Sequence, residues 1–139
     1  MGYLCTRRSV GAIIEKDGKF LMIDRVNPPY GWAGVAGHVD EGKNPKEMIK
    51  IEVEEEVGLD VVSCKFLFEE MFPWNNCRHS NGEGHYWYLF KVDAVGEISP
   101  EQEEIKSFGW FTREDIQKLE LEPVWRYWLE KLGYIKPLK

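Results

Sequence analysis

Four glutamates, Glu52, Glu54, Glu55 and Glu56, crowd a short stretch just before Gly58. The surrounding pattern is helical, and Gly58 marks the end of that helix. A helix C-terminus carries about half a negative charge, so carboxylates are disfavoured there. Glu52 and Glu56 are also a like-charged i, i+4 pair, which costs about a few tenths of a kcal/mol. At roughly 100° per residue, Glu52, Glu55 and Glu56 project into one sector and Glu54 points elsewhere. That sector borders an apolar stripe of Ile49, Val53 and Val57. Carboxylates crowded beside a core favour a bound cation. Hard oxygen ligands select Mg²⁺, Mn²⁺ or Ca²⁺ over zinc. A run of glutamates on its own reads as a solvated helix face. Two features separate this run from that reading. The charges sit at the wrong end of the helix, and a glycine-rich stretch, Gly34–Gly42, leads directly into it.

The elements that must position these carboxylates can be read locally. Asn44 is an N-cap and Pro45 a first helical residue, with Gly58 as the C′ residue. The stretch Trp32–Val39 is small and glycine-rich, so another group can approach its backbone closely. Ahead of it, Ser9–Ile14 and Phe20–Arg25 flank Asp17-Gly18, a strong hairpin signal. Beyond the helix, Val61–Phe72 and His85–Val95 read as long strands around a polar loop, Pro73–Gly84. Gly96–Ile105 is an acidic loop and Ser107–Phe111 a short strand. Thr112 caps a short helix to Leu119. The last helix, Glu122–Leu132, carries Val124, Trp125, Trp128, Leu129 and Leu132 on one face, to pack on a sheet or at a dimer interface. Strands around a central helix with terminal helices predict an α/β or α+β sandwich.

The whole chain bounds what this arrangement can be. Its 139 residues make one domain, residues 1–139, able to bury a core without disulfides. A net charge of −6 makes it a poor partner for duplex nucleic acid. The three cysteines, Cys5, Cys64 and Cys77, have no CxxC spacing, which fits a reducing cytoplasm. Neither a signal peptide nor a membrane span is legible. Cys77, His79 and His85 do not have a recognised zinc spacing. The chain is expected to act on small molecules, as a monomer or homodimer.

The run from Gly37 to Leu59 resembles the Nudix box, G-x5-E-x7-R-E-U-x-E-E-x-G-U, with spacing kept throughout. Gly37, Glu52, Val53, Glu55, Glu56, Gly58 and Leu59 match. Lys43 stands where the pattern has its first Glu, and Ile51 where it has Arg. The flanks, from the hairpin to Trp110-Phe111-Thr112, also resemble the small MutT-like members. The resemblance implies a Nudix-type α/β/α sandwich, a mixed β-sheet between helices. It implies cleavage of a nucleoside diphosphate linked to another group, a nucleoside triphosphate being favoured by small size and Arg25, with Mg²⁺ or Mn²⁺ as cofactor. By the same resemblance Glu55 and Glu56 are metal ligands, Glu52 a ligand or the base for the attacking water, and the Ala36 carbonyl a further ligand. Glu104 is an added carboxylate ligand, and Arg25 and His38 contact phosphate. Tyr30, Trp32, Trp74, Tyr86, Trp87 and Tyr88 are candidates for a stacking wall. Loss of Glu and Arg together removes a coupled pair and strands neither charge. It also leaves open a second reading, a Nudix-fold binding module without turnover.

Overall fold

In a computed structural model, residues 8–26, 31–39, 43–72, 85–100 and 105–136 are described. The hairpin forms as the sequence predicts. Strand β1, Arg8–Lys16, turns through Asp17 and Gly18, at φ 53° and 76°, into β2, Lys19–Arg25. Positive φ at both turn positions gives the twist that a tight hairpin needs.

The glycine-rich stretch forms two short strands, β3 (Trp32–Ala33) and β4 (Val35–His38). The break falls at Gly34. A Cβ there would lie 2.6 Å from the Ala12 carbonyl oxygen and from the Trp125 ring, so the chain passes through a slot that only glycine fits.

Helix α1 runs Pro45–Val57, with the Asn44 side chain accepting from the Glu47 N–H and Gly58 at φ 71° closing it. Strands β5 (Asp60–Phe72), β6 (His85–Val95) and β7 (Ile105–Phe111) follow, then α2 (Arg113–Gln117) and α3 (Pro123–Lys131). The sheet order is β3-β2-β1-β6-β5, with β4 also on β1 and β7 also on β2. Among the described strands β1 and β6 pair in parallel and the other pairs are antiparallel, so the sheet is mixed.

Strand β1 is buried on both faces, which is why its sequence is apolar without alternation. Val10, Ala12 and Ile14 point into a core with Met48, Ile49, Val53 and Val57 of α1. Ile13 points the other way, toward Trp125, Trp128 and Leu129 of α3. The result is the expected α/β/α sandwich, with α1 on one face and α3 on the other. Trp125 and Trp128 therefore pack on the sheet, being 1% and 0% exposed. No described helix is long and apolar enough to cross a membrane.

Candidate functional site

The carboxylates of α1 meet β4. Among the described residues strand β4 pairs with β1 alone, with Ala36 opposite Gly11 and Gly37 opposite Val10. Its other edge faces α1. There the Ala36 N–H donates to Glu56 Oε2 at 3.2 Å, and Glu56 is buried. The N–H and C=O of one strand residue point to the same edge. The Ala36 carbonyl is thus directed to the side on which Glu56 sits. Glu52 is half-buried, and its carboxyl lies flush on Gly37, where a Cβ would overlap it. A glycine-shaped cradle and a backbone clasp therefore hold two carboxylates on consecutive residues of one strand.

The other predicted residues divide. Glu55 is exposed, one helical step outside the clasp, and Glu54 is exposed as expected. Among the described residues no three His, Cys, Asp or Glu side chains converge closely enough to hold a metal ion. The donor set still fits a hard divalent cation: all oxygen, two members anchored, and a third, Glu55, next to Glu56 in the same turn. His38 is half-buried at the end of β4, with its backbone opposite Ser9. Glu104, Tyr30, Trp74, Cys5, Cys77, His79 and the 73–84 loop lie outside the described residues. A cavity of about 520 Å³ is lined by Pro100, Ile105, Lys106, Ser107 and Phe108, none of them a predicted site residue.

Arg25 ends β2 at a register shift against β7. It is half-buried, and its Nε is buried without a hydrogen-bond partner. Close by is a residue that sequence reasoning missed. Glu122, the N-cap residue of α3, is only 3% exposed and makes no side-chain capping bond. Burial pushes its carboxyl up to about 7, against the pull of the Arg25 guanidinium. A Glu before Pro at a helix start gives no local signal of burial.

The two departures from the box are accommodated quietly. Ile51 is half-buried against the α1-side core, and Lys43 is exposed. The Lys43 carbonyl accepts from Arg8 Nη2 at 3.4 Å, while Arg8 Nη1 donates to the Tyr88 hydroxyl at 3.3 Å and its guanidinium stands 5.5 Å from that ring's centroid. Of the candidate stacking residues, Trp87 is buried and Trp32 sits edge-on to Phe111 at 5.2 Å. Tyr86 and Tyr88 lie 5.3 Å apart, with the Tyr86 hydroxyl donating to Glu69 at 2.8 Å.

Comparison with known proteins agrees with this fold. The NUDIX domain model matches residues 6–132. The chain is 27% identical over 116 residues to the NAD-capped RNA hydrolase NudC of Stutzerimonas stutzeri, covering 79% of this chain and 40% of that protein. The chain thus spans under half the length of that relative. It is 25% identical over 138 residues to the nucleoside triphosphatase NudI of an Enterobacter species, covering 93% of this chain and 98% of that one. Among solved structures, a MutT NUDIX hydrolase from Burkholderia pseudomallei superposes with a TM-score of 0.78 at 26% identity, covering 91% of this chain and 98% of that one. With a family model spanning nearly its whole length and the box carboxylates seated on β4, this chain belongs to the NUDIX domain family.

Proposed function

We propose that the chain is a divalent-metal-dependent pyrophosphohydrolase of nucleotides, with a nucleoside triphosphate as the favoured substrate class. The observation that carries this reading is the pairing of the Glu56 clasp on Ala36 with the Glu52 cradle on Gly37. Such pre-positioning matters because a carboxylate displaced by an ångström loses much of its catalytic value. A small acidic domain that a nucleoside triphosphatase matches end to end supports the substrate class. The reading includes a cytoplasmic setting and a monomer or homodimer.

Glu52, Glu55, Glu56 and the Ala36 carbonyl would hold Mg²⁺ or Mn²⁺, with Glu104 as an added ligand. When bound, such an ion would supply charge neutralisation of the diphosphate and a lower pKa for the attacking water. The chain's own work is narrower. Glu52 accepts the proton from that water, since its carboxyl is fixed yet half-accessible. Glu56, buried and hydrogen-bonded, serves as a rigid anchor. Arg25, half-buried at the end of β2, and His38 receive the phosphate chain.

The deciding experiment is pyrophosphate or phosphate release from nucleoside triphosphates, nucleotide sugars, dinucleotides and ADP-ribose, with Mg²⁺, Mn²⁺ or chelator. The Glu55→Gln/Glu56→Gln double variant keeps side-chain shape and should lose at least about a hundredfold in turnover. Equal release from the variant would sink the assignment. Lys43 and Ile51 favour one other reading, a nucleotide-binding module. The pair Lys43→Glu with Ile51→Arg separates the two. Under the enzyme reading it raises turnover several-fold, because a restored Glu and Arg orient the neighbouring carboxylates. Nucleotide binding seen by thermal shift, with silence across the panel and no gain in the pair, would establish the binding module instead.

A further inference from the structure

One residue of β1 grips the chain on both sides of the junction between β4 and α1. The Val39 N–H, just beyond β4, donates to the Arg8 carbonyl at 2.7 Å. At residue 43, one before the Asn44 cap of α1, the backbone carbonyl accepts from Arg8 Nη2. The guanidinium is held toward that carbonyl because its Nη1 donates to the Tyr88 hydroxyl. Arg8 and Val10 alternate with Ser9 along β1, so both lie on the sheet face that α1 covers. Tyr88 packs on the same face, opposite Val10 in the register of β1 and β6.

This junction sets α1 against β4. Strand β4 supplies the Ala36 clasp and the Gly37 cradle, and α1 supplies Glu56 and Glu52 to fill them. The far end of the helix is tied separately, by the Ser99 N–H on the Val57 carbonyl at 2.7 Å. At the near end the charge pair that the box has at positions 43 and 51 is missing. Lys43 is exposed and Ile51 is apolar, so the two side chains form no ion pair. The Asn44 cap, on the Glu47 N–H at 2.8 Å, is a bond internal to the helix. The Arg8 guanidinium supplies a tie between elements at this end.

We propose that Arg8 is a positioning residue for the carboxylate site, closing the β4–α1 junction from β1 and so taking over the support that the absent Glu and Arg would give. In this role it touches neither substrate nor metal. It acts through Glu52, carried in the middle of the helix whose start it anchors. A guanidinium suits the task, since its rigid fork of donors serves a hydroxyl and a carbonyl at once, where a lysine offers a single point charge. The proposal rests on the proposed function only where turnover is the readout.

Hydrogen exchange in the metal-free protein reads the tie itself. The Met48 N–H, bonded to the Asn44 carbonyl at 3.1 Å in the first turn of α1, should exchange about tenfold faster in Arg8→Ala. The Val39 N–H is held by the Arg8 backbone, which alanine keeps, so its protection should stay as it is. Tyr88→Phe removes one hydroxyl and keeps the ring, and should shift Met48 in the same direction by less. In turnover of a nucleoside triphosphate, Arg8→Ala should lower kcat about tenfold and leave KM within about twofold, because Glu52 is displaced and the phosphate contacts are not.

A double-mutant cycle then separates positioning from general stability. In the Lys43→Glu/Ile51→Arg background, Arg8→Ala should lower kcat at most about twofold and leave Met48 protected, since the restored pair does the same work. An equal loss in both backgrounds, unchanged Met48 exchange, or a raised KM at constant kcat each overturns the proposal, and the last would make Arg8 a substrate contact. Should Arg8→Ala fail to fold, Tyr88→Phe carries the same cycle. A chain that hydrolyses nothing would count against the proposed function, and the exchange measurements alone would still decide the role of Arg8.

Discussion

Gly37→Ala should lower metal-dependent turnover by at least about a hundredfold and leave the fold intact. The three atoms nearest to the added Cβ all belong to the Glu52 carboxyl. A carboxyl at the tip of a flexible side chain swings aside at little cost. Gly37 is not among the glycines with positive φ, so alanine brings no backbone strain there. Gly34 makes the contrast, because its neighbours are the Ala12 carbonyl oxygen and the buried Trp125 ring, neither free to yield. At position 37 the expected signature is therefore a melting temperature within a few degrees of wild type, beside weakened Mn²⁺ affinity and lost turnover. Wild-type turnover in Gly37→Ala would show that the seat of Glu52 has no bearing on the chemistry.

Much of this seat was legible in the sequence because its signals are local. Asn44, Pro45 and Gly58 fix the ends of α1 through capping and backbone conformation alone. Asp17-Gly18 fixes the hairpin in the same way. The glycines of the 32–39 stretch announced close approach, and the structure supplies the approaching groups: Trp125 at Gly34 from the α3 face, Glu52 at Gly37 from the α1 face.

What was not legible depends on where distant elements meet. The helical wheel placed Glu52, Glu55 and Glu56 in one sector without ranking them. Their burial follows from the position of β4: Glu56 reaches the free edge at Ala36, Glu52 the cradle at Gly37, and Glu55 stays in solvent. The choice for Trp125 and Trp128 between sheet and interface was likewise open. It closes once β1 and the β3–β4 break align Gly11 and Gly34 under the Trp125 ring. Glu122 was hidden most completely. Next to Pro123 it reads as an ordinary solvated residue at a helix start, and only the crossing of Gly31 and Trp32 against α3 buries it.

That burial has a consequence for stability whose sign is opposite to that of most carboxylates. The Glu122 carboxyl sits at about 7 in the folded chain, against 4.5 as its ordinary value, because desolvation outweighs the attraction of Arg25. Between those two values the folded state binds more protons than the unfolded state, so stability falls as pH rises through the window. The contribution is fully present below pH 4.5 and is lost as pH rises through about 7. At about 1.4 kcal/mol per pH unit, ionising this buried group takes away up to about 3 kcal/mol by pH 8. Little solvent screening reduces that figure, since the residue is 3% exposed. Glu122→Gln carries no charge to desolvate. It should therefore unfold at a higher temperature than wild type at pH 8, and the difference should shrink toward zero by pH 5. The comparison isolates this carboxyl, because every other titrating group is common to both proteins. A gap that stayed constant across the range would mean that Glu122 does not titrate in the window, and that its buried carboxyl is stabilised as an anion by Arg25 instead.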